Sequence, residues 1–227
     1  MTPPTKYVAA LLACLALVVA GCGSSGTVSG TAQKSPKPTQ AATCTYAAST
    51  RTPARKVQPP PSKPTQTGSL KVTITTNFGN MAATLDGKNA PCAVNAFLSL
   101  AKQGYYDKTI CHRVSVDARG FHILQCGDPT ATGGGDPGYQ YAEEVKGTES
   151  YAPGTIAMAK ATAPNTTGAQ FFVVFGPTQL QPQYTVLGQL TPAGLKVAKK
   201  AAAAAVKGKP NPYDGAPATK VKLLTVK

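Results

Sequence analysis

Hydrophobic and polar positions along the chain take on a regular pattern from Gly68. Over residues 70–76, LKVTITT, leucine, valine and isoleucine alternate with polar residues. This period of two is typical of a strand with one buried face. The turn-prone sequence NFGN follows, and MAATL at 81–85 resumes the extended pattern. The two segments therefore predict a β-hairpin at the start of a folded domain.

Two later segments carry the pattern of amphipathic helices. In NAPCAVNAFLSLAKQG, Asn89 is placed to cap the helix, Pro91 lies in its first turn, and Gly104 lies where it should end. The second helix is predicted over about 192–207, with Thr191 as its N-cap. Its sequence KKAAAAAV favours helix by intrinsic propensity.

The remaining apolar segments are short and are separated by turn residues. They predict strands: TICHRV, HILQC, TIAMA, FFVVF, YTVLGQL and, at the end of the sequence, TKVKLLTV. Many short strands with two helices indicate a mainly β fold, a closed antiparallel barrel with the helices covering its ends. We assign this domain to residues 68–227, and about 160 residues are enough for one such core.

The first 22 residues have the pattern of an export signal. Lys6 precedes an apolar run over 7–20, which is shorter than the ~20 residues of a bilayer-spanning helix. The run ends in VVAGC, which resembles the bacterial lipobox, whose cysteine becomes the lipidated first residue of the mature protein. We predict a lipoprotein signal peptide over 1–21, lipidation of Cys22, and a location on the extracytoplasmic face of the cell membrane. An ordinary cleaved signal or a retained short anchor is the alternative.

Residues 22–67 are rich in Ser, Thr, Pro, Gly and Lys, with too few apolar residues to offset the entropy of ordering. We predict a tether that spaces the domain from the membrane. The tether holds six Lys or Arg and no acid, so part of the net charge of +14 belongs to it. Proteins that bind single-stranded nucleic acid interleave aromatic residues with their cations. The tether has only Tyr46, so no nucleic-acid partner is predicted.

Export changes the meaning of the six cysteines. Cys14 leaves with the signal and Cys22 carries the lipid, so four remain. An even number outside the cytoplasm favours disulfides, with three possible pairings. A metal site is the rival, but no CxxC occurs, and His112 and His122 lie at no finger-like offset from the cysteines. We therefore predict no metal site, and two disulfides formed by Cys44, Cys92, Cys111 and Cys126.

Five motifs occur in order along the domain. They are CHRV at 111–114, LQCGDPTATGGGDPGY at 124–139, GTIAMAK at 154–160, PNTTGAQFFVVFG at 164–176 and YTVLGQL at 184–190. Together they resemble cyclophilins, which are peptidyl-prolyl cis-trans isomerases, over roughly residues 70–227. In style they are closest to the secreted or membrane-attached cyclophilins of high-GC Gram-positive bacteria. The resemblance implies an eight-stranded barrel capped by two helices.

This resemblance implies isomerisation of X–Pro peptide bonds, which assists the folding of exported proteins. Rotation about the imide bond crosses a barrier of ~18–20 kcal/mol, because the C–N bond is conjugated. No bond is broken, so the reaction needs no nucleophile, metal or cofactor. An enzyme must favour the twisted state, and a fixed cationic donor beside the imide nitrogen would do so. The expected partners are unfolded or nascent exported polypeptides that contain proline, and the expected enzyme is a monomer.

The resemblance also assigns site residues. Arg113 matches the family's cationic donor and Gln125 matches the glutamine that orients it, so these two are the catalytic candidates. Phe172 is expected to face the proline pocket while Phe171 packs in the core, and Gln170 is expected to contact the substrate backbone. The other predicted contacts with the substrate are Ile123, Ala159, Leu180 and Tyr184.

Three positions depart from the family pattern. A gap-free count back from Gln125 puts the family's pocket phenylalanine on His122, with Phe121 beside it, and the sequence does not decide between the two. Lys160 stands where the family has an asparagine, at a substrate contact that uses mainly backbone. Gln179 stands at the position of the tryptophan linked to cyclosporin binding, so weak cyclosporin affinity is expected.

The strand pattern also favours one disulfide pairing. Cys111 begins one predicted strand and Cys126 ends the next. The ends of an antiparallel pair meet, which favours a Cys111–Cys126 disulfide and leaves Cys44 to pair with Cys92.

Two other functions stay open. The first is a non-catalytic module at the cell surface that holds proline-containing segments. The departures from the family pattern at His122 and Lys160 favour this function. The second is an interaction role in which the basic tether contacts anionic polymers or lipids. Turnover of an X–Pro peptide separates an isomerase from a holder.

Overall fold

The structure is a computed structural model that describes residues 42–117 and 120–227. The predicted signal peptide and Cys22 lie outside these residues. The described chain contains two helices and twelve strands, with these bounds: β1 (Ala47–Ala48), β2 (Ser69–Thr76), β3 (Gly79–Asp86), α1 (Pro91–Lys102), β4 (Thr109–Ile110), β5 (Arg113–Asp117), β6 (Phe121–Cys126), β7 (Tyr139–Gln140), β8 (Thr155–Met158), β9 (Phe171–Val174), β10 (Val186–Leu190), α2 (Pro192–Val206), β11 (Tyr213–Gly215) and β12 (Lys222–Val226). Neither helix in this part of the chain is long and apolar enough to cross a membrane.

The first hairpin forms as its alternation predicts. Strands β2 and β3 pair without a register shift from Ser69↔Asp86 to Thr76↔Gly79. The apolar positions on one face of the hairpin are buried: Val72, Ile74, Met81, Ala83 and Leu85.

Ten of the strands form one antiparallel sheet in the order β11-β5-β6-β9-β8-β10-β3-β2-β12-β4. The predicted mainly β fold with two helices is confirmed, but the prediction of a closed eight-stranded barrel is wrong. The sheet is a curled half-barrel, and its edge strands β4 and β11 do not pair with each other within the described residues.

The break in the barrel lies at residues 111 and 112, inside the segment TICHRV that was predicted as one strand. The Cys111 N–H donates to the Val221 carbonyl at 2.9 Å, beside β12, whereas the His112 N–H donates to the Gln125 carbonyl at 3.1 Å, on β6. The chain therefore changes partners at this point and forms two strands, β4 and β5. Strand β11, which the sequence pattern did not reveal, then adds to the edge of β5.

The helices begin by two different means. The N-cap of α1 is Ala90, and not Asn89, whose side-chain amide donates to Asp86 at 2.6 Å. The first N–H groups of α1 instead donate to the Glu144 carboxylate at 3.0 and 2.8 Å. Helix α2 has the predicted cap, because the Thr191 hydroxyl accepts a backbone N–H of the first turn at 3.0 Å. Glu144 comes from a distant loop, so no local pattern could identify it.

The apolar residues divide into two clusters on opposite faces of the central strands. The main core includes Phe97, Tyr106 and Phe171, whose ring centroids lie 5.1 to 5.6 Å apart. The second cluster lies on the other face of β6, β8 and β9 and includes Phe172 and Val174. Neighbouring residues of a strand point to opposite faces, so Phe171 packs in the main core while Phe172 packs in the second cluster. The two phenylalanines thus lie on opposite faces, as the alternation predicted.

Residues 42–67 pack on the domain, although the sequence assigned them to the tether. We call them the N-terminal strap. Strand β1 pairs with β7, and Pro53 forms a bridge with Asp136. One guanidinium nitrogen of Arg55 donates to the carbonyls of Gly104, Tyr105 and Asp107 at 2.8 to 3.1 Å. The compact unit thus begins before the predicted boundary at residue 68.

Composition failed to reveal the strap because disulfide and hydrogen bonds hold it to the domain more than apolar burial does. Cys44 is bonded to Cys92 of α1, with an S–S distance of 2.03 Å. The Asn95 amide donates to the Pro61 carbonyl at 2.8 Å. A sequence that is poor in apolar residues can still be ordered when its backbone and polar groups find such partners.

Candidate active site

Strands β5 and β6 place the predicted catalytic residues side by side. Their register pairs Arg113 with Gln125 and Asp117 with Phe121. Residues at alternate positions of a strand share a face, so Phe121, Ile123 and Gln125 lie on the same face as Arg113. Strand β9 extends this face, because Phe172 pairs with Gln125.

The Arg113 guanidinium is held from three sides. Its Nη1 donates to Gln125 Oε1 at 3.1 Å, and its central carbon lies 5.3 Å from the centroid of the Phe121 ring. Its Nε and Nη2 donate to the two carboxylate oxygens of Asp214, each at 2.7 Å. The hydrogen bonds that Arg113 donates to Asp214 raise the pKa of Arg113 above its ordinary value, although partial burial opposes this. The guanidinium therefore stays positively charged at every working pH.

The two predicted glutamines form a chain that leads away from Arg113. The Gln125 amide donates to Gln170 Oε1 at 2.9 Å. The Gln170 amide in turn donates to the carbonyls of Gly133 and Gly135 at 2.9 and 3.2 Å. Gln125 and Gln170 thus hold fixed orientations next to the arginine, and the glycine loop supports them. No separate role for this loop was predicted from the sequence.

The predicted apolar contacts gather in the second cluster. Ile123 and Phe172 are buried in it, and the half-buried side chains packed against it include Phe121, Ala159, Leu180 and Tyr184. The rings of Phe172 and Tyr184 are 5.5 Å apart at their centroids and nearly perpendicular. The result is an apolar surface with aromatic walls beside the Arg113 guanidinium, on the outer face of the sheet.

Tyr151 is a member of this cluster that sequence reasoning missed. Its hydroxyl donates to the Tyr184 carbonyl at 3.0 Å and accepts the Tyr184 N–H at 2.9 Å. Its ring lies 6.3 Å from that of Phe172. Tyr151 therefore fixes the loop that carries Tyr184. It lies in a loop between strands, where no periodic pattern marks a residue as buried.

Phe121, and not His122, belongs to the apolar surface. The His122 ring lies 5.8 Å from the Phe175 ring, and its Nδ1 contacts the Pro177 carbonyl at 2.6 Å. Strand alternation explains the difference, because Phe121 shares the face of Ile123 whereas His122 points to the opposite face.

Lys160 borders a neighbouring cavity of about 180 Å³. The cavity extends from Gln125 and Gln170 to Arg51 of the N-terminal strap. The Lys160 ammonium donates a hydrogen bond to the carbonyl of the next residue, Ala161, at 3.1 Å. Lys160 is thereby held against its own loop while it lines the cavity.

Two disulfides connect the described cysteines. Cys111 is bonded to Cys126, next to Gln125, and Cys44 is bonded to Cys92. This is the pairing that the strand pattern favoured. The first disulfide ties the start of β5 to the end of β6, directly behind the Arg113–Gln125 pair. Across residues 42–117 and 120–227, His, Cys, Asp and Glu form no group of three or more that could hold a metal ion.

The glycine loop behind Gln170 is organised around the buried carboxylate of Asp128. The hydroxyl and N–H of Thr130 each donate to it at 2.7 Å, and so does the Gly133 N–H. A Cβ atom at Gly135 would lie only 1.8 Å from Asp128 Oδ1, so this position requires glycine. Burial alone would raise the pKa of Asp128, but the hydrogen bonds outweigh it and hold the pKa below its ordinary value.

We expect Asp128→Asn to lower the free energy of unfolding at pH 7 by about 2–3 kcal/mol, because hydrogen bonds to a charged group are lost. The lowered pKa means that this stabilisation is present above the unfolded-state value of about 3.9 and is lost as the pH falls through the folded-state value. Urea unfolding at pH 7 and pH 3 should therefore show a smaller pH effect in the variant than in the wild type. If the wild type and Asp128→Asn lost the same free energy of unfolding between pH 7 and pH 3, the role given to Asp128 would be contradicted.

Comparisons with known proteins identify the family of this chain. The family model for "Cyclophilin type peptidyl-prolyl cis-trans isomerase/CLD" matches residues 71–227. The chain is 41% identical over 176 residues to the protein named "Probable peptidyl-prolyl cis-trans isomerase B" of Mycobacterium tuberculosis strain H37Rv, covering 72% of this chain and 56% of that protein. It is 37% identical over 199 residues to the protein of the same name of Mycobacterium leprae, covering 81% and 66%. The match thus spans between about half and two thirds of these relatives' length.

Solved structures give the same result. A crystal structure of a Cryptosporidium parvum cyclophilin type peptidyl-prolyl cis-trans isomerase, in the presence of the dipeptide Ala-Pro, aligns with a TM-score of 0.57 at 30% identity. The alignment covers 69% of this chain and 97% of that one. The half-barrel with two helices is therefore the cyclophilin fold. The chain belongs to the cyclophilin-type peptidyl-prolyl cis-trans isomerase family.

Proposed function

We propose that this protein catalyses cis–trans isomerisation of X–Pro peptide bonds. One observation carries the proposal: a fixed guanidinium, that of Arg113, borders an apolar surface formed around Phe172 and Phe121. The apolar surface suits a proline ring, and the guanidinium suits the imide nitrogen that gains a lone pair as conjugation is lost. The names of the relatives and the Ala-Pro dipeptide of the neighbouring structure support the same reaction.

The chain's own groups can account for each requirement of the reaction. A guanidinium has five N–H donors. Gln125 and Asp214 engage three of those on Arg113, so two remain within the described structure to face a substrate. Gln170 lies beside Gln125, and its side-chain oxygen can accept a further hydrogen bond from the substrate backbone. Such a contact would hold one side of the imide bond while the other rotates. Charge stabilisation and positioning are sufficient, because no proton is transferred.

The test is turnover by the full chain of a short peptide that contains one X–Pro bond. Exchange between the cis and trans signals, followed by NMR, should be accelerated in proportion to protein concentration. Peptide binding without faster exchange would instead identify a holder of proline-containing segments. The structure weakens the case for a holder, because Lys160 bonds its own loop and His122 lies off the apolar surface.

We further propose that the protein is exported, is lipidated at Cys22, and acts as a monomer on proline-containing exported polypeptides at the outer face of the cell membrane. The apolar N-terminal run, the lipobox-like VVAGC and the four cysteines paired in two disulfides support this location. Mass spectrometry of membrane extracts should find an acylated Cys22 as the first residue. The matched variant Cys22→Ala should appear in the soluble fraction. An unmodified Cys22 in the membrane extract would overturn the proposal.

A further inference from the structure

We infer that Asp214 is a positioning residue, which holds the Arg113 guanidinium in the orientation that isomerisation requires. The inference rests on the proposed function of the site. It goes beyond that function, because Asp214 lies 101 residues from Arg113 in the sequence and belongs to none of the motifs that identified the active site.

Strand β11 carries Asp214 to the catalytic face. It pairs with the outer edge of β5, where Asp214 lies opposite Ser115 and Gly215 lies opposite Val114. Cross-strand partners share a face of the sheet, so Asp214 lies on the face of Ser115 and of Arg113, two residues earlier. The strand is fixed near its end, where the Tyr213 hydroxyl donates to the Ala216 carbonyl at 2.6 Å.

The contact between Asp214 and Arg113 is a bidentate ion pair. Nε and Nη2 of the guanidinium each meet a separate carboxylate oxygen at 2.7 Å. A bidentate pair fixes the plane of the guanidinium as well as its position. Gln125 holds the third nitrogen, and Phe121 lies against the guanidinium at 5.3 Å. Without Asp214, one hydrogen bond and one ring contact would remain to orient a long side chain.

The exposure of the pair indicates what it does. The side chains of Arg113 and Asp214 are 36% and 49% exposed. Ion pairs at such exposure contribute little to stability, because water screens them and the side chains lose entropy. Positioning is a different effect, since a displacement of about 1 Å at a reacting group can reduce a rate a hundredfold. Loss of Asp214 should therefore be visible in catalysis and nearly invisible in stability.

The decisive variants are Asp214→Asn and Asp214→Glu in the full chain. Asp214→Asn should lower kcat for X–Pro isomerisation by roughly tenfold to a hundredfold, with KM changed by less than about threefold, since the apolar surface that binds proline is intact. Asp214→Glu keeps a carboxylate and should recover most of the lost kcat. Asp86→Asn removes one charge from the far end of the hairpin and should match the wild type.

A spectroscopic readout makes the result independent of turnover. The Nε–H signal of Arg113 should be resolved in the wild type and in Asp214→Glu, and should shift or broaden in Asp214→Asn. A kcat of Asp214→Asn within twofold of the wild type, or an unchanged Nε–H signal, would overturn the inference. A fall in thermal midpoint that parallels the fall in kcat would also overturn it, in favour of a structural role.

Failure of the proposed function would give a different pattern. If the wild type does not accelerate exchange, or if a variant without Arg113 remains fully active, the isomerase assignment itself fails, and with it the catalytic part of this inference. If the wild type is active, Arg113 is required and Asp214→Asn retains full activity, only the role of Asp214 is wrong.

Discussion

Replacing Arg113 with alanine is expected to reduce kcat/KM for X–Pro isomerisation by roughly 10²–10³-fold, the usual cost of removing one preorganised donor from a transition state. The guanidinium is the cationic group fixed beside the apolar surface, and its pKa is raised, so it is charged throughout the assay range. Peptide exchange measured by NMR, on protein shown to be folded by circular dichroism, gives the result directly.

Arg113→Lys is the matched variant for this experiment. Lysine keeps the positive charge but cannot form the fork that meets Asp214 and Gln125 together. We expect its activity to lie between those of the wild type and Arg113→Ala. If Arg113→Ala stays within threefold of the wild type, charge stabilisation by this side chain does not drive the reaction.

The second large effect concerns stability. Replacing both Cys44 and Cys92 with alanine is expected to lower the free energy of unfolding by about 4 kcal/mol, because the disulfide closes a long loop in the unfolded chain. The two cysteines are 48 residues apart. Guanidinium chloride unfolding under oxidising conditions measures the change, and activity at low denaturant should be retained.

The Cys111–Cys126 disulfide supplies the comparison. Its cysteines are 15 residues apart, so the loop entropy predicts a smaller contribution of about 3 kcal/mol. Its removal should also disturb β5 and β6 and lower activity, because it lies directly behind the Arg113–Gln125 pair. If the Cys44 and Cys92 variant lost less than about 1 kcal/mol, the N-terminal strap would be held by its hydrogen bonds alone.

Local patterns were sufficient for much of the fold. Alternation predicted the β2–β3 hairpin and the opposite faces of Phe171 and Phe172, and Thr191 caps α2 as expected. These features depend on residues that are close together in the sequence. The motifs around Arg113 and Gln125 likewise sufficed to bring the two catalytic candidates together, because they lie on adjacent strands.

Features that depend on distant partners could not be predicted. Asp214 reaches Arg113 only because β11 adds to the sheet edge, and Glu144 caps α1 from a loop 52 residues away. The choice between Phe121 and His122 depended on the register of β6 against β5, which places Phe121 on the face of Arg113. The strand break at residues 111 and 112 depends on which neighbours the backbone finds, and so does the open sheet.

The N-terminal strap has a practical consequence for recombinant work. A fragment that begins at residue 71, where the family match begins, would leave Cys92 as a free thiol at the second position of α1. Loss of the N-terminal strap would leave this thiol unprotected, so copies of such a fragment are expected to cross-link by oxidation on storage. The carbonyls of Gly104, Tyr105 and Asp107, in the turn after α1, would also lose the Arg55 donor. A fragment that retains residues 42–70 keeps both the Cys44–Cys92 disulfide at the start of α1 and the Arg55 hydrogen bonds just after its end.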